Sequence, residues 1–309
     1  MGRPKKAKPK DNKLFALAAD DWKNEVLALQ KRSSHKSIGY VVKGLVDEFG
    51  YKRVGDIEKS DIQKFIVKLS GRLEVGSLRH YLTTFKGIME YADEDWDMPT
   101  RLKLPKSKRV KQEYYTFEEC RKLLHHSSGA VKVLIMLLSE TGCRIGEAVA
   151  LQPADLDYDN KTISITKNVF EGVLQDTPKT DSSVRKICIS ERLAIELRGL
   201  CIPGPKSFIF RSPSGSRPMW PQQLTYMLKG VCKNAGVPYK ACHAFRRGNI
   251  TELLLTLGMP ERIVGMRVGH NSQSITLGVY CFAEKGSDRK WVPSIEKLLY
   301  EGRNEQELS

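Results

Sequence analysis

Three observations predict a mainly α-helical chain of two domains. The 309 residues exceed what one ordinary domain holds, and a hydrophobic content of 40% is enough for real cores. Residues 12–97 carry apolar positions at helical spacing almost throughout, whereas the clearest strand signals are two short alternating segments, 161–167 and 185–190. Between the halves, residues 98–112 combine Pro99 and Pro105 with a dense run of Lys and Arg, the composition of an extended linker. The expected order is an N-terminal helical bundle, a basic linker, a mostly helical second domain over 113–291 with a small antiparallel β-sheet, and a C-terminal segment, 292–309.

The first ten residues carry five positive charges and no acid, so residues 1–11 read as a disordered, electrostatic tail. Gly2-Arg3-Pro4 resembles the core of an AT-hook, a minor-groove ligand, but a plain basic tail is the simpler reading. Helical runs follow at Leu14 to Leu29, with Trp22 and Leu27 on one face, and at Ile38 to Phe49. A third opens with Ser60 as a capping residue and repeats Ile62, Phe65, Ile66 and Leu69, and a fourth spans Ser77 to Tyr91. Arg72, Arg79, His80 and Lys86 cluster around this last run, where they suit either a solvated face or contact with a phosphate backbone.

The second domain begins at Thr116-Phe-Glu-Glu119, a capping box. Val131 to Glu140 is nearly all apolar and predicts a buried helix leading into Thr141-Gly142-Cys143-Arg144-Ile-Gly-Glu147. That loop presents Arg144 at the start of the next helix, where amide donors favour an anion, and places Glu147 one turn on to hold the arginine. Asp155-Leu-Asp157-Tyr-Asp159-Asn160 imitates the start of a calcium loop. It fails at position six, Asn160 instead of Gly, and at position twelve, Thr166 instead of Glu. After the two strand segments, with Lys179 near the turn between them, helices are predicted over Glu191 to Leu200, Pro221 to Ala235, His243 to Leu257 and Pro260 to Val268. Gly258-Met-Pro260 separates the last two.

The formal charge of +15, from 51 Lys and Arg against 36 Asp and Glu, points to a polyanionic partner, nucleic acid foremost. Seven cysteines without any C-x-x-C pair argue for reduced thiols in a cytosolic compartment. The adjacent Cys242-His243 lacks further ligands at usable spacing for zinc. No apolar run approaches the ~18 residues that span a bilayer, so no membrane role is expected.

The chemistry-bearing residues are Arg144, then His243-Ala-Phe-Arg246-Arg247, then Gly269-His270, then Tyr280. Two arginines can pair their planar donors with two phosphate oxygens and neutralise charge building on a pentavalent phosphorus. His243 and Arg246, three apart, share a helix face and leave acid and base work to histidine. A phenol has an ordinary pKa of about 10, so Tyr280 needs cations or a base beside it to attack at neutral pH. Arg247 reads as a surface residue or one that meets a DNA backbone.

In these boxes the chain resembles the tyrosine recombinases of the phage integrase family. That family carries a Thr-Gly-x-Arg-x-x-Glu box, a His-x-x-Arg box, a Gly-His pair and a nucleophilic Tyr shortly after it. They match Arg144, His243, Arg246, His270 and Tyr280. A sixth family residue, a Lys on a β-hairpin, is matched in context by Lys179 in Thr177-Pro-Lys179-Thr180, although Lys167 and Lys186 also border the hairpin. The resemblance covers residues 113–300 strongly and 12–100 by general character. Gly248 stands where the family often has Thr or Ser, Val268 where it usually has Leu, and Cys281-Phe282 follow Tyr280. None of these removes a catalytic group.

The resemblance implies a SAM-like core-binding domain at 12–97 and a catalytic domain at 113–291, closing as a clamp around DNA. It implies a site-specific recombinase that cleaves and rejoins strands through a 3′-phosphotyrosyl intermediate and a Holliday junction. The mobile-element integrase is the leading reading, of a simple kind without a separate arm-site domain; a chromosome-dimer or plasmid resolvase is its alternative. A type IB topoisomerase and an inactive DNA-binding protein are the rivals outside the recombinases. The implied partners are double-stranded DNA with inverted-repeat core sites and three further copies of the chain, as a tetramer. The apolar stripe in 292–300 suits packing on its own domain or docking on a neighbouring protomer. No metal or nucleotide cofactor is implied, because the covalent link stores the bond energy. The implied location is cytoplasmic, at the nucleoid.

Overall fold

The computed structural model describes residues 12–30, 32–106, 113–175, 184–202, 204, 207–212, 215 and 217–269. Lys179, His270, Tyr280, the basic tail 1–11 and the segment 292–300 lie outside the described residues. The chain divides into two compact units, Met1–Val110 and Lys111–Ser309.

In the first unit, α1 (Phe15–Glu25), α2 (Arg32–Phe49), α3 (Lys59–Ser70) and α4 (Val75–Ala92) pack around an aromatic centre. Phe15 stacks on Phe85 with centroids 5.6 Å apart, and Phe49 meets Phe65 at 5.1 Å and Phe85 at 5.2 Å. Such offset and edge contacts add to the area these rings bury. The third helix starts earlier than the sequence suggests. Asp61 accepts the Glu58 N–H at 3.0 Å, so Glu58, and not Ser60, stands at the N-cap. Asp61 also pairs with Lys52 Nζ at 2.6 Å, and that bond, foremost, holds its carboxyl below the ordinary range. Residues 98–104, read from the sequence as linker, lie along this bundle. Met98, Leu102 and Leu104 pack against the core, and Gln63 exchanges two hydrogen bonds with the Lys103 backbone at 2.8 and 3.0 Å.

The second unit is built around α6 (Gly129–Thr141), buried on nearly every side as its nearly all-apolar run requires. α5 (Phe117–His125) enters through the expected capping box, with Thr116 and Glu119 satisfying each other's amides at 3.1 and 2.9 Å. After the short α7 (Ile145–Val149), β1 (Leu156–Asp157), β2 (Thr162–Ile165) and β5 (Arg185–Cys188) form an antiparallel sheet in the order β1-β2-β5. Ile163 faces Ile187 across it, both buried. A second hairpin that the sequence reading did not foresee, β3 (Asn168–Phe170) and β4 (Val173–Gln175), turns at Glu171-Gly172 with φ of +48° and +76°.

The remaining helices are α8 (Glu191–Leu200), α9 (Pro221–Ala235), α10 (His243–Thr251) and α11 (Glu261–Val268). The expected single helix from His243 to Leu257 changes character at Glu252. Residues Glu252–Thr256 form a π turn, with the Leu257 N–H bonded to the Glu252 carbonyl at 3.1 Å. Gly258, at φ +66°, then ends the helix. No helix among the described residues is long and apolar enough to cross a membrane.

Candidate active site

Arg144 is placed by the turn that ends α6. Gly142 takes φ +63° there, and Arg144 becomes the N-cap of α7. Glu147 then accepts twice from the same residue, from the Arg144 backbone N–H and from its Nη1, both at 2.8 Å. The amide expected to favour an external anion is therefore already occupied by Glu147. The Arg144 side chain remains 44% exposed, while the Glu147 side chain is 6% exposed. One cation thus faces outward on a buried carboxylate mount.

That carboxylate has a second partner. Arg185, at the start of β5 and itself 6% exposed, donates Nη2 to Glu147 Oε2 at 2.8 Å and Nη1 to Oε1 at 3.4 Å. Burial alone would raise the Glu147 pKa, but the bond and charge of Arg185, then the amide and charge of Arg144, outweigh it and hold the carboxyl below its ordinary value.

α10 carries the other box. Arg246 is 2% exposed, and its Nη1 donates to the Gly142 carbonyl at 2.9 Å and to the Val268 carbonyl at 2.7 Å. Its Nη2 has no hydrogen-bond partner among the described residues. Burial, then the charge of Arg144, presses its pKa down to about 9, so the side chain is still a cation at neutral pH. Asn249, one turn on, ties the same helix to the end of α6 through the Ser139 and Glu140 carbonyls at 2.8 and 3.0 Å. His243 opens α10 as an exposed residue. Desolvation by the chain around it, then the charges of Arg246, Arg247 and Arg144, push its pKa below the ordinary value. The imidazole is therefore neutral at pH 7 and able to accept a proton.

Residues 113–119 lie across α10 as a strap. Arg247 donates Nε and Nη2 to the Glu113 carbonyl at 2.9 and 2.7 Å, which ties this partly exposed side chain to the strap. The buried Tyr115 hydroxyl donates to the Lys240 carbonyl at 2.7 Å and accepts the Lys240 N–H at 2.6 Å. Lys240 Nζ reaches Glu119 at 2.6 and 2.7 Å. Gly248 accounts for its departure from the family pattern here: a Cβ at that position would fall on the Tyr115 carbonyl oxygen.

Of the six residues singled out from the sequence, the fold brings Arg144, His243 and Arg246 into one electrostatic neighbourhood; Lys179, His270 and Tyr280 lie outside the described residues. Lys167, the rival to Lys179, is held by Gln152 Oε1 at 2.9 Å and Asp155 Oδ1 at 3.0 Å, and Lys186 is exposed on β5. Asp155, which opens the false calcium loop, is thereby part of an ion pair. The sequence reading missed Arg185, Asn249 and the Tyr115–Lys240 pair. For Arg185 a signal existed: alternation along the strand sets it on the same side as the buried Ile187 and Ile189. Two guanidinium groups and a neutral imidazole suit a tetrahedral oxyanion that gains charge during reaction.

Residues 113–286 match the sequence profile of the phage integrase family. The integrase of Staphylococcus phage L54a is 31% identical over 191 residues, which cover 56% of this chain and 52% of that protein. A XerC-like tyrosine recombinase of Caldanaerobacter subterraneus is 26% identical over 202 residues, covering 56% of this chain and 51% of that one. The chain thus spans about half the length of the curated relatives it matches. In fold it is similar to the Tn1549 transposon integrase solved in complex with circular intermediate DNA. The TM-score is 0.76 at 20% identity, over 92% of this chain and all of that one.

Proposed function

The chain belongs to the phage integrase family, and we propose from that membership and its paired arginines that it is a site-specific tyrosine recombinase acting on double-stranded DNA. The observation that carries the proposal is the buried Arg246 cation, fixed by two carbonyls with Nη2 unpartnered among the described residues, in electrostatic reach of the outward Arg144. A buried donor without a partner costs stability, so a bound phosphate oxygen is its natural complement.

In this reading Tyr280 Oη attacks the scissile phosphorus, and the bond to the 5′-oxygen breaks as the phosphotyrosyl bond forms. Arg144 and Arg246 neutralise the non-bridging oxygens. His243, neutral at pH 7, takes the tyrosine proton; Lys179 gives a proton to the departing 5′-oxygen; His270 donates to the phosphate. Attack by the 5′-hydroxyl of another strand reverses the chemistry and exchanges partners, by way of a Holliday junction in a tetramer. The 31% identity to the L54a phage integrase, against 26% to the XerC-like recombinase, supports a mobile-element integrase over a resolvase. The clamp, the domain limits at 12–97 and 113–291, inverted-repeat core sites, docking through 292–300 and action at the nucleoid belong to the same proposal.

Covalent capture tests it. A pool of randomised and candidate duplexes, nicked to trap the cleaved intermediate, is incubated with the wild type and with Tyr280→Phe, and DNA that survives SDS is sequenced. An adduct formed by the wild type and absent from the variant is expected. Binding without an adduct from either protein, in an assay that a known recombinase passes, would return the chain to a DNA-binding role.

A further inference from the structure

Arg185 has no part in the mechanism above, yet it touches three parts of the site's framework: Glu147, the Arg267 carbonyl and Gly269. Its Nη2 and Nη1 hold Glu147. Its Nε donates to the Arg267 carbonyl at 2.9 Å, near the end of α11, two residues before Gly269. Gly269, at φ +72°, packs directly over it, with Arg185 Nη1 3.0 Å from where a Cβ would stand. Arg267 returns the connection, donating Nη1 to the Cys188 carbonyl at 2.9 Å and Nη2 to the Glu140 carbonyl at 3.0 Å. The strand following Lys179, the Arg144 box and the helix leading to His270 are therefore stitched together at one buried guanidinium.

We infer that Arg185 is a positioning residue for strand cleavage, aligning Glu147 as the mount of Arg144 and cancelling the Glu147 charge so that Arg144 keeps its own for the scissile phosphate. The charge argument is direct. Glu147 bonded to Arg144 alone would form a neutral pair, and the phosphate would meet one uncompensated arginine, Arg246. With Arg185 as the buried counter-ion, the carboxylate keeps its orienting bonds to Arg144 while the cluster retains two positive charges. The geometric argument is separate: the Arg144 side chain is 44% exposed, and among the described residues its guanidinium is held by Glu147, so a loosened carboxylate releases it.

The inference rests on the recombinase reading, and its test separates the two. Because the Arg144 N–H is bonded to Glu147 Oε2, hydrogen exchange at that amide reports on the mount without any DNA. In Arg185→Gln of the full chain, exchange at Arg144 is expected to speed by at least about tenfold, with amides of α8 unchanged. With a duplex selected by covalent capture, the rate of adduct formation at saturating DNA should fall about 100-fold, the scale of a misplaced reacting group. Noncovalent DNA affinity should change by less than about threefold. Arg185→Lys, which keeps the charge but not the fork, should recover at least about a tenth of the wild-type rate. The double variant Glu147→Gln with Arg185→Gln should be no slower than Arg185→Gln alone, since Arg185 acts through Glu147. Exchange or cleavage within twofold of wild type in a folded Arg185→Gln, or a double variant slowed by the product of the two single effects, would overturn the inference. If the wild type itself yields no adduct, the recombinase reading fails, and exchange at Arg144 still decides whether Arg185 sets the mount.

Discussion

The guanidinium of Arg246 donates a 2.9 Å hydrogen bond to the carbonyl of Gly142, 104 residues earlier in the chain. Through it, the helix that carries His243 is fastened to the turn that presents Arg144. Both ends of this contact are constrained, and each constraint gives an expected outcome.

Gly142 adopts φ +63°, and a Cβ there would lie 2.7 Å from Asn249 Oδ1 and 3.1 Å from Val268. Gly142→Ala combines left-handed strain of about 1–2 kcal/mol with crowding of Asn249, so a loss of about 2 kcal/mol or more is expected. Urea unfolding measures it, and an unchanged midpoint would refute the argument.

Gly248→Thr installs the residue often found there in the family, yet it should harm this chain. Its Cβ would overlap the Tyr115 carbonyl, and relief requires α10 to move off the strap. A destabilisation of about 1–3 kcal/mol is expected from such overpacking. A thermal melt at or above that of the wild type would show that the strap yields.

His243 should titrate below the ordinary value of about 6.5 for an exposed imidazole, because desolvation and three arginines disfavour its cation. The sign follows directly: a lowered pKa keeps the ring neutral, and able to accept the tyrosine proton, down to a more acidic pH. Cleavage should therefore rise with pH through that lowered midpoint and level off before pH 7. Proton NMR of the ring in wild type and Arg144→Ala checks this; a midpoint at or above 6.5 in the wild type, or one that does not rise in the variant, would contradict it.

Lys167 and Lys179 should separate by function. Lys167 is bound to Asp155 and Gln152, so Lys167→Met should cost stability, about 1–3 kcal/mol for removing the cation from a partly buried Asp155, with cleavage largely kept. Lys179→Met should instead slow cleavage by about 100-fold or more, as expected when a general acid is removed. Loss of cleavage confined to Lys167→Met would exchange the two assignments.

The sequence alone determined the helical periods of both units, the capping box at Thr116, the turn at Gly142 and the ordered spacing of Arg144, His243, Arg246, His270 and Tyr280. The periods, the capping box and the turn are written in neighbours one to four residues apart, where backbone geometry and capping chemistry act, and the spacing of the five residues is read along the chain as an ordered set of short boxes. Local patterns served less well at helix ends, where Asp61 moved a start to Glu58 and a π turn replaced the end of α10. The tertiary structure decided what no local pattern contains: that Glu147 is shared by Arg144 and an Arg185 38 residues away, that Arg247 is bonded to the Glu113 carbonyl 134 residues earlier, and that Gly248 is required by a backbone 133 residues earlier. A buried charge or a close backbone approach is set by whatever the folded chain brings alongside, and that neighbour is chosen by packing over long sequence separations.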